Sequence, residues 1–127
     1  MKILIDTHAV IWFRNGDPQL SANALAALTN SQFEKRISIV ALWEIAIKVR
    51  LGKLKLSRPL TDLPAFMATH NFQLFDLNFQ HILRVSTIAL FHRDPFDRML
   101  ISQALVENFI VVTKDPNFPA YGVTTIW

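Results

Sequence analysis

The sequence predicts an α/β fold, a three-layer α/β/α sandwich around a mostly parallel central sheet, and three observations carry that expectation. Two runs of consecutive branched apolar residues, Ile3-Leu4-Ile5 and Ile110-Val111-Val112, read as strands buried on both faces, as in a parallel sheet covered by helices. Helical stretches separate the strand-like ones, which is the pattern of βαβ units. With 127 residues, 51% of them hydrophobic and 18% charged, the chain has enough apolar surface for a packed core, and a disordered polymer is excluded. A single domain over residues 1–127 is expected. The longest apolar runs, Ala9–Phe13 and Ile39–Trp43, are too short to span a membrane. Because Lys2 leads directly into a strand, no secretory leader is expected, and the cytoplasm is the default address. Cysteine is absent, so disulfides, thiolate metal sites and cysteine nucleophiles are excluded. A net charge of +3 is compatible with a polyanionic partner without requiring one.

In chain order, the first strand ends on Asp6 and passes into a helix containing Ala9–Phe13. After the Asn15-Gly16-Asp17-Pro18 turn, Ser21 caps a helix through Ala22, Leu25, Ala26 and Leu28. A second strand is expected over Arg36–Val40, then a helix over Ala41–Leu51 closed by Gly52 in a left-handed C′ position. Residues Leu60–His70 read as a helix and Phe72–Phe75 as a third strand. Two further helices are expected over Asn78–Phe91 and Phe96–Asn108. Phe109–Thr113 is a continuous apolar strand, and Val123–Ile126 adds an edge strand.

Four acids draw attention, each with a structural and a functional reading. Asp6 stands at the carboxyl end of a strand, the edge at which open α/β sheets bind ligands, but it is also a good N-cap. Glu44 lies in a helix apolar on nearly every side, where a charge is paired or functional; an i,i+4 pair with Lys48 is the structural alternative. In His92-Arg93-Asp94-Pro95-Phe96-Asp97-Arg98, Asp94 reads as N-cap and Pro95 as first helical residue. Asp97, in the first turn of a helix already capped, is explained less completely, and Arg98 is a candidate to neutralise one of these acids. Asp115 follows the Ile110–Val112 strand, and taken alone it is better accounted for by an Asx turn with Pro116 and Asn117 behind it.

Jointly the structural readings weaken, because separate elements bring these carboxylates to one end of one sheet. Clustered carboxylates repel and raise one another's pKa unless a cation sits among them. An all-oxygen site of Asp and Glu suits Mg²⁺ or Mn²⁺ rather than zinc. The histidines show no paired ligand spacing, and His8 and His92 are expected at the first turn or the rim.

Ile3-Leu4-Ile5-Asp6-Thr7, Ser38–Glu44 continuing through Ile45-Ala46-Ile47-Lys48, Asp94-Pro95-Phe96-Asp97-Arg98 and Val112-Thr113-Lys114-Asp115 together resemble the PIN-domain (PilT N-terminus) nucleases. More narrowly, the chain resembles the VapC-type toxins of bacterial toxin–antitoxin pairs, over essentially its whole length. The resemblance implies a Mg²⁺-dependent endoribonuclease that leaves a 5′-phosphate and a 3′-hydroxyl. It places Asp6, Glu44, Asp97 and Asp115 at the family's acidic positions, with Asp6 and Asp97 as principal metal ligands and Glu44 and Asp115 holding metal-bound water or a second ion. Thr7 and Thr113 fall at supporting hydroxyl positions, and Asp94 is an additional acid. The resemblance also implies a homodimer and a cognate antitoxin that inserts a basic side chain among the acids.

RNA must be held as well, and Lys48, Arg50, Lys53, Lys55 and Arg58 form a basic stretch suited to tracking phosphates, to seating an acidic partner, or to neither. Arg14, Arg93, Arg98 and Lys48 are the candidates nearest the acids. Three Trp and ten Phe in so short a chain predict exposed apolar surface, with Trp12, Phe13, Phe72–Phe79 and Trp127 as candidates. Two other classes stay open. One is a non-catalytic module that binds RNA or protein. The other is a haloacid-dehalogenase-like phosphatase, weakened because His8 stands where its second Asp belongs.

Overall fold

A computed structural model describes residues 1–127. Five parallel strands form one sheet in the order β3-β2-β1-β4-β5: β1 (Lys2–Ile5), β2 (Glu34–Ser38), β3 (Phe72–Phe75), β4 (Ile110–Val112) and β5 (Thr125–Ile126). The helices are α1 (Thr7–Asn15), α2 (Ala22–Thr29), α3 (Ile39–Arg50), α4 (Leu63–Thr69), α5 (Phe79–Val85), α6 (Pro95–Glu107) and the single turn α7 (Asn117–Ala120). They flank the sheet, giving the α/β/α sandwich that the sequence predicts. Ile3, Leu4, Ile5, Val111 and Val112 are wholly buried, as expected for central parallel strands covered on both faces.

The register positions the site. Ile5 pairs with Val112 on one side and Ile37 on the other. The residues that follow these three, Asp6, Thr113 and Ser38, therefore lie side by side at the carboxyl edge of the sheet.

Several boundaries differ from expectation, each for a physical reason. β2 begins two residues early, at Glu34, because a charged strand start is tolerated: the Lys35 stem is buried while its amine reaches the Asn30 carbonyl at 3.2 Å and lies over the Phe72 ring. Its end also moves, since Ser38 caps α3 by accepting from the Val40 amide at 3.0 Å. The stretch Leu60–His70 splits into a 3₁₀ turn (Leu60–Asp62) and α4, because Pro64 has no amide to bond back to Leu60. The helix expected over Asn78–Phe91 stops at Val85. Beyond it, the Arg98 guanidinium draws in the carbonyls of Ile88, Ala89 and His92 and holds residues 88–92 as a loop.

The exposed apolar residues are largely not those expected. Trp12 packs on Trp127 (ring centroids 5.8 Å apart), and Phe13 packs on Phe66 and Phe72, so all three candidates Trp12, Phe13 and Trp127 are half-buried. Within Phe72–Phe79 the expectation holds for Leu74, Leu77 and Phe79, whereas Phe72 is buried. Trp43, Leu90 and Phe91 are exposed besides, each by 61% or more. No helix is long and apolar enough to cross a membrane.

Candidate metal centre

Asp6 both caps and faces the site. One carboxylate oxygen accepts from the Ala9 amide at 2.7 Å, and the other accepts from the Thr113 hydroxyl across the β1–β4 boundary. The capping reading is thus realised, on a carboxylate that stands at the carboxyl edge of the sheet. Thr7, one position on, donates its hydroxyl to Glu44 Oε1 at 2.7 Å. The other Glu44 oxygen meets Lys48 Nζ at 2.6 Å, so the i,i+4 pair exists as well, on a residue that is only 2% exposed.

Asp94 is the N-cap of α6, accepting from the amides of Phe96 (2.9 Å) and Asp97 (3.1 Å), with Pro95 in the first turn. That cap aims the first turn, and Asp97 on it, at the sheet edge. Asp115 takes the Asx turn, accepting from the Asn117 amide at 2.8 Å, while its own amide donates to Thr113 Oγ1 at 3.0 Å. Thr113 thus bridges Asp6 and the Asp115 loop.

Asp97, Asp115 and His92 form the tightest group, offering one ligand atom each with all three within 4.8 Å of one another. Asp6 and Glu44 stand behind them, close enough to act electrostatically. Burial, then Asp94, Asp115, Glu44 and Asp6 in turn, push the Asp97 carboxyl up to about 8. The Asp6 carboxyl is also raised, by burial above all; the bonds from Thr113 and Ala9 and the charge of His8 work against that rise, and Asp115 adds to it. For Lys48 burial works downward, but Glu44, Asp94 and Asp97 outweigh it and hold the ammonium above its ordinary value. Two carboxyls forced toward their neutral forms by burial and by neighbouring acids define a place where a cation would be stabilised, and oxygen donors of this kind match Mg²⁺ or Mn²⁺.

The basic candidates divide. Lys48 reaches the acids, and Arg93, just before the Asp94 cap, is exposed. Arg14 lies in the last turn of α1, opposite its Asp6-capped end, donating to the Pro59 carbonyl at 2.6 Å. Arg98 is buried and makes no ion pair with the acids; besides the loop carbonyls it donates to the Tyr121 hydroxyl at 3.1 Å. Of the histidines, His8 is exposed on α1, whereas His92 points into the acidic group. Sequence reasoning left His92 at the rim and did not single out Tyr121; the structure sets His92 within the acidic group and Tyr121 against its ring. The one signal was the five-residue step from His92 to Asp97, which has no meaning until the loop and helix are placed.

A family model described as PIN domain matches residues 3–123. The chain is a PIN domain. Among solved structures, this PIN domain is similar to VapBC2 from Rickettsia felis bound to a DNA fragment from its promoter (TM-score 0.74, 19% identity, 98% of this chain and 97% of that one). It is also similar to DNA-bound VapBC from Salmonella typhimurium (0.69, 19%, 98% and 96%) and to FitAcB from Neisseria gonorrhoeae (0.68, 18%, 97% and 95%). At such identities the likeness is one of fold. A comparison with curated protein sequences finds no match.

Proposed function

We propose that this PIN domain is a Mg²⁺- or Mn²⁺-dependent endoribonuclease and the toxin of a toxin–antitoxin pair. The observation that carries the reading is the convergence of Asp97 and Asp115 in front of Asp6 and Glu44, with Asp97 pushed up to about 8 by burial and by the other acids. A structural cap or turn needs no such mutual repulsion. PIN domains are generally nucleases, and similar folds are found in complexes of toxin–antitoxin type.

A divalent ion, when bound, would neutralise the charged phosphodiester and activate water for attack. Asp97 and Asp115 would hold it directly, with Asp6, whose bonds to Ala9 and Thr113 leave lone pairs free, as a further ligand. Glu44, fixed by Thr7 and Lys48, would hold water behind that set. Lys48 and Arg93 flank the acids and are suited to the phosphates beside the scissile bond. Arg50, Lys53, Lys55 and Arg58 are exposed and would continue that track. Arg14 and Arg98 spend donors on backbone carbonyls, so their part is to hold the fold around the site.

Exposed Trp43, Phe79, Leu90 and Phe91 support a protein partner, both a second copy of this chain and an antitoxin. Sequencing the 5′ ends of cellular RNA after brief expression of the wild type and of Asp97→Asn tests the reading. New 5′-phosphate ends that require Asp97 support it; their absence, or their persistence in the variant, refutes it.

A further inference from the structure

Tyr121 Oη has four polar neighbours. The amides of Phe91 and His92 and the Arg98 guanidinium all donate to it, each at 3.1 Å, and His92 Nδ1 stands 2.8 Å away. A phenol oxygen has two lone pairs and a single proton to give. With three N–H groups already directed at the oxygen, its proton has one acceptor in reach, His92 Nδ1. Were Nδ1 to carry the hydrogen instead, four donors would converge on two lone pairs and the phenol proton would have no acceptor. The network therefore places the imidazole hydrogen on Nε2, leaving Nδ1 as acceptor. That Nε2 is buried without a hydrogen-bond partner, a rarity that calls for a reason. The nearest acceptor recorded for it is Asp97 Oδ2 at 3.7 Å, just beyond hydrogen-bond length.

We propose that Tyr121 and His92 form a relay that orients Asp97: Tyr121 O–H to His92 Nδ1, and His92 Nε2–H to Asp97 Oδ2. His92 is a positioning residue and not a metal ligand. The terminal torsion of an aspartate is soft, so a small turn of the carboxylate closes the gap and leaves its other oxygen for the ion. Outer partners of this kind set the direction of a ligand's lone pair, and losing one costs roughly 10- to 100-fold in metal affinity. Arg98 joins the relay by holding both the Tyr121 oxygen and the loop that carries His92. The relay rests on the metal-centre reading above, but its tautomer is a property of the metal-free chain.

The test is in two parts. Long-range ¹H–¹⁵N correlation on the metal-free wild type reports the His92 tautomer. Hydrogen on Nε2 is expected, and hydrogen on Nδ1 overturns the relay whatever any variant does. Mn²⁺ titration by electron spin resonance is then run on wild type, His92→Ala and His92→Gln, with thermal melts to check folding. The expected result is affinity about tenfold or more weaker in His92→Ala, partly restored by the amide donor in His92→Gln, and no directly coordinated ¹⁴N in the wild-type spin-echo spectrum. Unchanged affinity in His92→Ala, or a coordinated ¹⁴N that vanishes with His92, overturns it. A chain that binds Mn²⁺ in this way yet cuts no RNA would fail the nuclease reading alone.

Discussion

The Thr113 hydroxyl donates to a carboxylate oxygen of Asp6, so that the tips of β1 and β4 are tied by the same bond that shapes the acidic site. Burial raises the Asp6 carboxyl and this bond opposes the rise. Thr113→Val keeps the shape and deletes the donor. Stability should fall by about 1–3 kcal/mol, the cost of leaving a buried acceptor short, and Mn²⁺ affinity should fall with it. Urea unfolding at neutral pH and a Mn²⁺ titration check both; no change in either would remove Thr113 from the site.

Asp97 makes the metal-free chain sensitive to pH. Its folded carboxyl titrates near 8, against 3.8 ordinarily, so the folded chain keeps a proton that the unfolded chain has released. The stability tied to that proton is full below about pH 3.8 and is lost as the pH rises toward 8. Asp97→Asn should therefore be more stable than wild type at pH 8, by denaturant midpoint, and should flatten the decline between pH 5 and 8. A wild-type midpoint rising with pH through that window, with Asp97→Asn behaving the same, would contradict this.

Metal should reverse the same penalty. At a hundredfold excess over its dissociation constant, a ligand specific to the folded state adds about 2.7 kcal/mol, or roughly 10 °C in Tm for a domain of this size. The Mg²⁺ or Mn²⁺ affinity should strengthen with pH up to about 8, because binding must displace the Asp97 proton. Calorimetric titration in buffers of different ionisation heat would show that proton released; binding without release and without pH dependence would disagree with Asp97 as ligand.

Asp94 should prove separable from the chemistry. Its carboxylate serves the Phe96 and Asp97 amides, and Asn is nearly as good an N-cap, so Asp94→Asn should cost about 1 kcal/mol or less. Removing its charge also lowers the Asp97 pKa, which moves the pH dependence of Mn²⁺ binding downward. Cleavage abolished in a folded Asp94→Asn chain would make it a ligand instead.

What the sequence disclosed follows the range of the forces involved. The Ile3–Ile5 and Ile110–Val112 runs announce buried strands locally, and their pairing brings Asp6 beside Thr113 and the loop to Asp115. The Asp94-Pro95 cap is equally local, which is why the start of α6 and the position of Asp97 were legible. The end of α5 was not, because Arg98, ten residues past Ile88 and farther from Val85, decides it by binding loop carbonyls. Trp12 and Trp127 looked exposed because their mutual contact spans nearly the whole chain. His92 was legible only as a rim residue, since Tyr121, which fixes its ring, lies 29 positions away.

The most direct test of the proposed metal-dependent nuclease activity is cleavage of single-stranded RNA by the purified chain, run with Mg²⁺, with excess EDTA, and with Asp97→Asn in Mg²⁺. The expected result is cleavage leaving 5′-phosphates in Mg²⁺, none in EDTA, and none by the folded variant. Undiminished cleavage in EDTA, or wild-type turnover by Asp97→Asn, would contradict it.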